Sequence, residues 1–234
     1  MEQNVYLRYS EIGETHWWFR SRRVIFDALL GTLKLSEKSK ILDFGCGVGS
    51  NLKILEKYGS VDAFEPNQLA QKYIKKYQKI NLVKKITKKY DLIFLADVIE
   101  HINDDKKTID FLTSRLNKGG FIFISTPAYQ FLFSKKDIAL HHYRRYNKNS
   151  LKKIINNELK LFKLTYFNTI LFIPICLSII FFKVFNLQFI NFAERKPQNF
   201  FNNLLFNIFS FEKVFIKKYN FIFGLSLLMV LKKN

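Results

Sequence analysis

Hydrophobic positions form two kinds of pattern over residues 40–125 of the chain. Short continuous apolar runs predict buried strands at residues 40–44, 61–64, 90–96 and 121–125. Segments with apolar positions at helical spacing and a polar outer face alternate with these runs, and they predict helices at residues 50–58, 66–77 and 106–116. Gly119 and Gly120 are expected to end the last of these helices.

This alternation of strands and helices predicts an α/β fold built on a largely parallel sheet. Parallel strands need crossover connections, and helices on both faces of the sheet supply them. The run at residues 90–96 is apolar at nearly every position, as expected of a strand that is buried on both faces. A ligand site is therefore expected beside the carboxyl ends of the strands.

The chain changes character near residue 150, after which 16 of its 26 phenylalanines occur. A strand at residues 161–167 is followed by an uncharged stretch at 168–182, which contains Pro174 and is shorter than the roughly 20 residues of a membrane-spanning helix. Residues 199–218 predict a second helix with an apolar face. The sequence leaves open whether these helices lie in a membrane surface, cover the active site or form a dimer interface.

Composition narrows the class of protein. The net charge of +19 would suit nucleic acid, anionic lipid or an acidic substrate, but the lysines are scattered, which is typical of a compositional bias. An apolar content of 48% excludes a disordered chain, and two cysteines without zinc-site spacing exclude a disulfide-rich scaffold. Residues 1–23 lack the apolar core of a signal peptide, so a cytoplasmic location is expected, at the inner face of the membrane if the apolar helices contact lipid.

A glycine-rich loop follows the first predicted strand, in the sequence Asp43-Phe44-Gly45-Cys46-Gly47-Val48-Gly49-Ser50-Asn51. Glycine permits a tight turn and a close approach of a ligand to the backbone, and the start of the next helix offers free N–H groups. Glu65 lies 20 residues beyond Gly45, at the end of the second strand, where a carboxylate can accept hydrogen bonds from ribose hydroxyls. The loop and Glu65 together predict an adenosine-containing cofactor.

The details of the loop favour S-adenosylmethionine over NAD. The dinucleotide fingerprint GxGxxG requires a glycine where this chain has Ser50. Asp43, just before the loop, would repel a pyrophosphate but suits a cationic amino acid group. S-adenosylmethionine carries an ammonium and a sulfonium and no phosphate, so it fits both features.

These features resemble those of class I S-adenosylmethionine-dependent methyltransferases. The chain is similar to a branch of that family with further motifs, which here are His16-Trp17-Trp18-Phe19-Arg20, Asp97-Val98-Ile99-Glu100-His101, His142-Tyr143-Arg144-Arg145-Tyr146 and Phe223-Gly224-Leu225-Ser226-Leu227. The resemblance covers nearly the whole chain. It implies a doubly wound, mostly parallel seven-stranded sheet of order 3-2-1-4-5-7-6, with an antiparallel seventh strand at residues 223–232.

The resemblance also implies one domain over residues 1–234. Its parts would be a helical cap at 1–35, a cofactor-binding core at 36–167, an apolar helical insertion between strands six and seven at 168–218, and the last strand at 219–234. Carried over by position, the cofactor-binding residues would be Asp43, Gly45, Cys46, Gly47, Gly49, Asn51, Glu65, Pro66, Asp97 and Val98. The lysine-rich segment 81–89 lacks the acidic residue often found there, so the adenine contacts stay unassigned.

Two histidines are candidates for the chemistry. His101 follows Glu100 after the fourth strand, where the acceptor is expected, and it could take a proton near neutral pH; the alternative is a histidine that packs the start of a helix or organises the cofactor loop. His142 is the second candidate base. A metal site of Asp97, Glu100 and His101 is conceivable by residue type, but their spacing matches no recognised ligand set, so no metal is expected.

Two further motifs are candidates for acceptor binding. Arg144 and Arg145 could clamp a phosphate or carboxylate on the acceptor, and the alternative is that they tie their own loop to the sheet. His16 and Trp17 are expected to begin a helix over the cofactor pocket and to contact the acceptor; the alternative is core packing.

The most favoured function is methyl transfer from S-adenosylmethionine to a small-molecule, glycan or lipid-linked acceptor at an oxygen atom. One alternative is a catalytically silent scaffold at a membrane surface. A nucleic-acid methyltransferase is disfavoured because the segment after the fourth strand reads Asp97-Val98-Ile99-Glu100 instead of [DN]PP[FY], and no cysteine lies there. A dehydrogenase is least favoured, and the oligomeric state is left open.

Overall fold

The computed structural model describes residues 3–185 and 197–234. The part of the expected apolar insertion at residues 186–196 lies outside these described residues. One seven-stranded sheet organises the rest, with strands β1 (Lys40–Phe44), β2 (Ser60–Phe64), β3 (Asn81–Leu82), β4 (Tyr90–Ala96), β5 (Leu116–Pro127), β6 (Leu159–Phe167) and β7 (Ser226–Lys233).

The sheet has the order β3-β2-β1-β4-β5-β7-β6. Its pairs from β3 to β5 are parallel, whereas β7 runs antiparallel between β5 and β6. Phe123 of β5, for example, lies opposite Val230 of β7. The sequence-based prediction of the sheet order and of its antiparallel strand is therefore confirmed.

Helices cover both faces of this sheet. In the described part of the chain they are α1 (Gln3–Ile12), α2 (Trp17–Leu30), α3 (Leu52–Leu55), α4 (Gln68–Ile74), α5 (Asp105–Ser114), α6 (Lys135–Ala139), α7 (Lys148–Lys152), α8 (Phe172–Val184), α9 (Asn199–Ser210) and α10 (Lys213–Ile216). Short 3-10 turns lie at Ile99–His101 and Gln130–Leu132. Of these helices, none is long and apolar enough to cross a bilayer.

The hydrophobic core lies on both sides of the sheet, and β4 shows why its sequence is apolar throughout. Leu92 and Phe94 belong to the cluster on the α2 side, where the rings of Phe26 and Phe94 meet edge to face at 5.7 Å. Ile93 and Leu95 belong to the cluster on the opposite side. Successive side chains of a strand point to opposite faces, so both must be apolar here.

Two elements of the core differ from the sequence-based prediction. The helix expected at residues 50–58 is reduced to α3; beyond it the Tyr58 hydroxyl donates to the Asp27 carbonyl (2.9 Å), and the chain enters β2 at Ser60. Gly119 and Gly120 do not end a helix. They lie inside β5, in an irregularity where the pairing with β4 jumps from Leu116 to Phe121.

The insertion also differs in detail. The single helix expected at residues 199–218 is divided into α9 and α10, and Glu212 lies at the break. The Glu212 carboxylate is buried and accepts the backbone N–H groups of Asn168, Thr169 and Ile170, which lead into α8. The break therefore places one carboxylate at the start of the neighbouring helix. The last strand begins at Ser226, three residues later than expected.

Candidate active site

A cavity of about 1750 Å³ lies at the carboxyl ends of β1, β2 and β4. Its walls come from the glycine loop, from α1 and α2, from the segment around α6 and from α8. Small-molecule pockets usually measure about 300–1,000 Å³, so this cavity has room for a cofactor and a second molecule together. Its position is the one that the α/β topology predicts.

The glycine loop turns sharply from β1 toward α3. Gly45 and Gly47 have positive φ angles of 73° and 56°, which residues other than glycine rarely adopt. A Cβ at Gly45 would lie 2.8 Å from the Val98 side chain, whereas one at Gly47 would meet no described atom within 4 Å. Gly45 thus allows close packing within the protein, and Gly47 leaves the backbone open toward the cavity.

Glu65 fixes the shape of this loop. One carboxylate oxygen accepts the Gly47 N–H (2.8 Å), and the other accepts the Asn67 N–H (2.9 Å). Burial raises the pKa of Glu65, and these two hydrogen bonds act in the opposite direction. Each oxygen keeps a further lone pair, so the carboxylate can also accept a ribose hydroxyl.

Asp43 lies beneath the loop and is 2% exposed. Its Oδ2 atom has no hydrogen-bond partner among the described residues. Burial first, and the nearby charge of Glu65 second, raise the pKa of Asp43 to about 8. A buried carboxyl group without a partner is costly, and a cationic ammonium group would offset that cost.

The raised pKa of Asp43 predicts a pH dependence of stability. Between about pH 4 and about pH 8 the folded protein holds a proton that the unfolded chain has lost, so the free energy of unfolding falls as pH rises. In Asp43→Asn this contribution is absent. Urea unfolding at about pH 5 and about pH 8 is expected to show the wild type losing stability relative to Asp43→Asn at the higher pH. If the difference in free energy of unfolding between the wild type and Asp43→Asn is the same at both pH values, the raised pKa of Asp43 would be contradicted.

Asp97 is held at the cavity wall by an arginine from α2. Its φ angle is +57°, and its carboxylate receives Nη2 of Arg22 at 2.7 Å. The same Nη2 atom donates to the Ser125 hydroxyl (2.9 Å), and the guanidinium lies over the rings of Trp18 and Phe26. The N-terminal cap is thus tied to the end of β4 by an ion pair in which the Arg22 side chain is buried and the Asp97 side chain is 39% exposed.

The remaining residues predicted to bind cofactor lie around the same loop. Cys46, Asn51, Pro66 and Val98 line the cavity. Gly49 instead packs against the protein, because a Cβ there would lie 2.8 Å from both Leu52 and Tyr77. Its effect on a ligand is therefore through the shape of the loop.

The two candidate histidines meet in the cavity wall. The ring centroids of His101 and His142 are 4.5 Å apart, in an edge-to-face arrangement. Burial, followed by the neighbouring His142, lowers the pKa of His101 to about 4. His101 is therefore neutral at pH 7 and is a weaker base than the sequence suggested.

Asp137 orients His142. Its Oδ1 atom lies 2.9 Å from Nδ1 of His142, and Arg145 binds both carboxylate oxygens of Asp137 through Nε (2.8 Å) and Nη2 (2.9 Å). Hydrogen bonds from His142 and Arg145 hold the pKa of Asp137 well below its usual range. An ionised Asp137 favours a proton on Nδ1, which leaves Nε2 of His142 as an acceptor.

The arginines expected to clamp the acceptor have protein partners. Arg144 Nη1 donates to Asp105 (2.7 Å) and Nη2 to the Asn103 carbonyl (2.8 Å), while Arg145 binds Asp137. These contacts favour the alternative, in which both arginines tie their loop to the protein. Arg145 nevertheless reaches the cavity wall.

The two aromatic residues at the start of α2 have different positions. His16 is fully buried and caps the helix, since its Nδ1 accepts the Trp18 N–H at 3.2 Å. This position fits a capping role better than contact with an acceptor. Trp17 lines the cavity, and its backbone N–H donates to the Asn202 side chain of α9 (2.9 Å).

Sequence reasoning missed Arg22 and Asp137. Arg22 interrupts the buried stripe of α2 that continues with Ile25, Phe26 and Leu29, and a cation at such a position is a detectable signal. The sequence around Asp137 does not indicate this role, because its spacing from Ser134 predicts only a capping box at the start of α6.

The family of the chain follows from comparison with known proteins. A family model described as a methyltransferase domain matches residues 17–170, well over half of the chain. The matched segment includes the glycine loop, Glu65, Asp97 and both candidate histidines. The chain belongs to this methyltransferase domain family.

A curated relative is the ubiquinone biosynthesis O-methyltransferase of Pelagibacter ubique (strain HTCC1062). It is 30% identical over 99 residues, which cover 37% of this chain and 41% of that protein. The chain thus matches less than half the length of this relative.

Solved structures share the fold. NodS is an N-methyltransferase from Bradyrhizobium japonicum WM9 that was solved with S-adenosylhomocysteine, and it has a TM-score of 0.55 at 13% identity. The match covers 95% of this chain and 90% of NodS. The plantazolicin methyltransferase BpumL, solved with S-adenosylhomocysteine and a monoazolic desmethylPZN analog, has a TM-score of 0.59 at 15% identity. That match covers 99% of this chain and 90% of BpumL. The cofactor of this class is S-adenosylmethionine, and the unpartnered oxygen of Asp43 and the open backbone at Gly47 fit it.

Proposed function

We propose that this protein transfers a methyl group from S-adenosylmethionine to an oxygen atom of a small-molecule, glycan or lipid-linked acceptor in the cytoplasm. The observation that carries the proposal is the continuous cavity that joins the glycine loop, the histidine pair and an apolar wall on α8. Membership of the methyltransferase branch with the His-Trp-Trp-Phe and His-Tyr-Arg-Arg-Tyr motifs is part of the proposal.

S-adenosylmethionine would supply the methyl group: the acceptor oxygen would attack the methyl carbon, so that the O–CH₃ bond forms as the S–CH₃ bond breaks, S-adenosylhomocysteine leaves and the acceptor proton is released. The work of the protein is largely positioning. Asp43 would bind the ammonium group and Glu65 the ribose, while the loop around Gly47 supports the ligand through its backbone. Asp97 and Val98, with Cys46, Asn51 and Pro66, would complete the pocket.

His101 and His142 would activate the acceptor. Both lie in the cavity wall, and both are in contact with each other. An imidazole near the acceptor hydroxyl can take its proton or weaken the O–H bond as the new bond forms. Asp137 supports this role, because it fixes the orientation of the His142 ring.

The apolar wall supports a lipid-like acceptor. Leu171, Pro174, Ile175, Ile179 and Phe182 line the cavity from the segment of α8. An acceptor that carries only a polar group would gain little from such a wall, whereas a lipid tail would gain its burial free energy. Trp17 and Arg145, which reach the same cavity, would contact the acceptor near its polar end.

Contact with a membrane surface belongs to the same proposal. The outer faces of α8 to α10 expose large apolar side chains, among them Ile173, Leu177, Phe181, Phe200, Phe201, Val214 and Phe215. In the described part of the insertion the exposed charges come from Lys183, Lys213, Lys217 and Lys218, while the acidic Glu212 is buried. Exposed apolar residues with cations among them suit an anionic lipid surface.

Calorimetric titration of the purified chain tests the cofactor, with S-adenosylmethionine, S-adenosylhomocysteine and NAD as ligands. We expect both adenosyl ligands to bind with Kd values on the order of micromolar and NAD to give no heat. Transfer of a labelled methyl group into fractions of a lipid extract then tests the acceptor. A folded sample that binds neither adenosyl ligand would contradict the proposal and favour a silent scaffold.

A further inference from the structure

Three side chains in the cavity wall converge on one point. The carboxylate of Glu100 and the rings of His101 and His142 each offer a ligand atom, and these atoms all lie within 4.8 Å of one another. His142 is 41 positions from His101 in the sequence and is brought beside it by the segment between β5 and β6. The spacing along the chain therefore concealed this cluster.

The Glu100 carboxylate is incompletely satisfied. The residue is fully buried, and one oxygen accepts the Thr126 hydroxyl (3.1 Å). The other oxygen, Oε1, has no hydrogen-bond partner in the described parts of the chain. Leaving a buried carboxylate oxygen unpaired is costly, so a protein normally places a donor or a cation beside such an atom.

Both imidazoles have one side already occupied. His142 uses Nδ1 to contact Asp137 at 2.9 Å, and the His101 ring forms a hydrogen bond with the backbone of His141. Each ring therefore has its second nitrogen available. A histidine that binds a metal through one ring nitrogen usually donates a hydrogen bond from the other nitrogen to a carboxylate or a carbonyl oxygen. This hydrogen bond fixes the tautomer and raises the basicity of the ring.

We propose that Glu100, His101 and His142 bind one divalent transition-metal ion, such as Zn²⁺ or Mn²⁺, in the wall of the acceptor cavity. Two imidazoles and one carboxylate suit such ions better than Mg²⁺ or Ca²⁺, which prefer oxygen ligands alone. Three protein ligands leave coordination positions open toward the cavity. This inference rests on the proposed function and specifies how the histidine pair activates the acceptor, since a bound cation lowers the pKa of a coordinated hydroxyl group.

Binding of the metal alone tests the inference on the 234-residue chain after treatment with a chelator. Equilibrium dialysis against Zn²⁺ and Mn²⁺ is expected to give one ion per chain. Co²⁺ is expected to give visible absorption bands from the bound ion, which report the ligand field independently of activity. Glu100→Gln and His142→Ala are each expected to weaken binding by about 100-fold or more, and Asp137→Asn by about 10–100-fold.

His141→Asn is the matched control. It removes an exposed histidine next to the cluster, and asparagine tolerates the positive φ of 59° at this position. We expect the affinity for metal to be unchanged in this variant. If Glu100→Gln does not fold, His101→Ala and His142→Ala still test the ligand set.

The outcomes separate the inference from the function on which it rests. Equal binding by the wild type and the ligand variants, or no binding by a folded wild type, would overturn the metal site. If S-adenosylhomocysteine still binds and methyl transfer persists in the presence of a chelator, the proposed function stands and the histidines act without an ion. If S-adenosylhomocysteine does not bind, the proposed function itself fails.

Discussion

His142→Ala is expected to lower the kcat of methyl transfer by about 100-fold or more, with the Kd of S-adenosylhomocysteine within about twofold of the wild-type value. The ring lies beside His101 and is held by Asp137, whereas the groups proposed to bind the cofactor belong to the glycine loop and to the ends of β2 and β4. Loss of the imidazole removes acceptor activation, whether the ring takes a proton or binds an ion. It leaves the cofactor pocket intact.

The measurement is the rate of labelled methyl transfer to the acceptor found in the lipid-extract screen, together with calorimetry of S-adenosylhomocysteine binding. His141→Asn provides the neighbouring control and should keep a kcat near that of the wild type. His101→Ala should lower kcat in the same direction as His142→Ala. Full activity of His142→Ala would remove this residue from the chemistry, and an equal loss in kcat and in cofactor affinity would indicate a distorted cavity instead.

The order of the sheet could be predicted because each strand and turn is marked by residues within its own segment. The apolar run at β4 must fill both faces of a central strand, and the glycines after β1 are needed where the backbone turns with positive φ. Gly119 and Gly120 were misassigned for the same reason. Two adjacent glycines signal a break in regular structure, but they do not tell whether a helix ends or a strand becomes irregular, as happens in β5.

The positions of candidate site residues were predictable where a residue lies directly beside the glycine loop, and their roles toward a cofactor stay predictions. Asp43 and Glu65 follow from their position at the ends of strands β1 and β2. The pairs in the cavity wall depend on contacts between distant segments, such as Arg22 with Asp97 and His101 with His142. No spacing along the chain encodes these contacts, so only the folded structure could reveal them.

In the insertion, the spacing of apolar residues predicts that a helix forms but not where it ends. Leu, Ile and Phe at helical spacing predict a helix, but Glu212 decides where that helix breaks. Its carboxylate accepts three backbone N–H groups at the entry to α8, a demand set by a segment more than 40 residues away. A charge within an apolar stretch is thus a better sign of such a contact than the stretch itself.

Glu65→Gln is expected to weaken the binding of S-adenosylhomocysteine by about 10–100-fold, which corresponds to about 1.4–2.8 kcal/mol. The substitution keeps the shape of the side chain but replaces one accepting oxygen by an NH₂ donor. Gly47 and Asn67 each donate to a different oxygen of Glu65, so a glutamine can accept from only one of them. The other N–H group would face a donor, and the loop would no longer be held in the shape that the cofactor requires.

The test is calorimetry of the variant beside Glu37→Gln, which removes the same charge from an exposed position away from the cavity. Because the net charge of the two variants is identical, a loss seen only in Glu65→Gln belongs to the local hydrogen bonds and not to the overall charge. The midpoint of thermal unfolding shows whether the variant remains folded at the temperature of the titration. Wild-type affinity in a folded Glu65→Gln would mean that neither the ribose nor the loop depends on this carboxylate. The assignment of the cofactor pocket would then rest on Asp43 and the glycines alone.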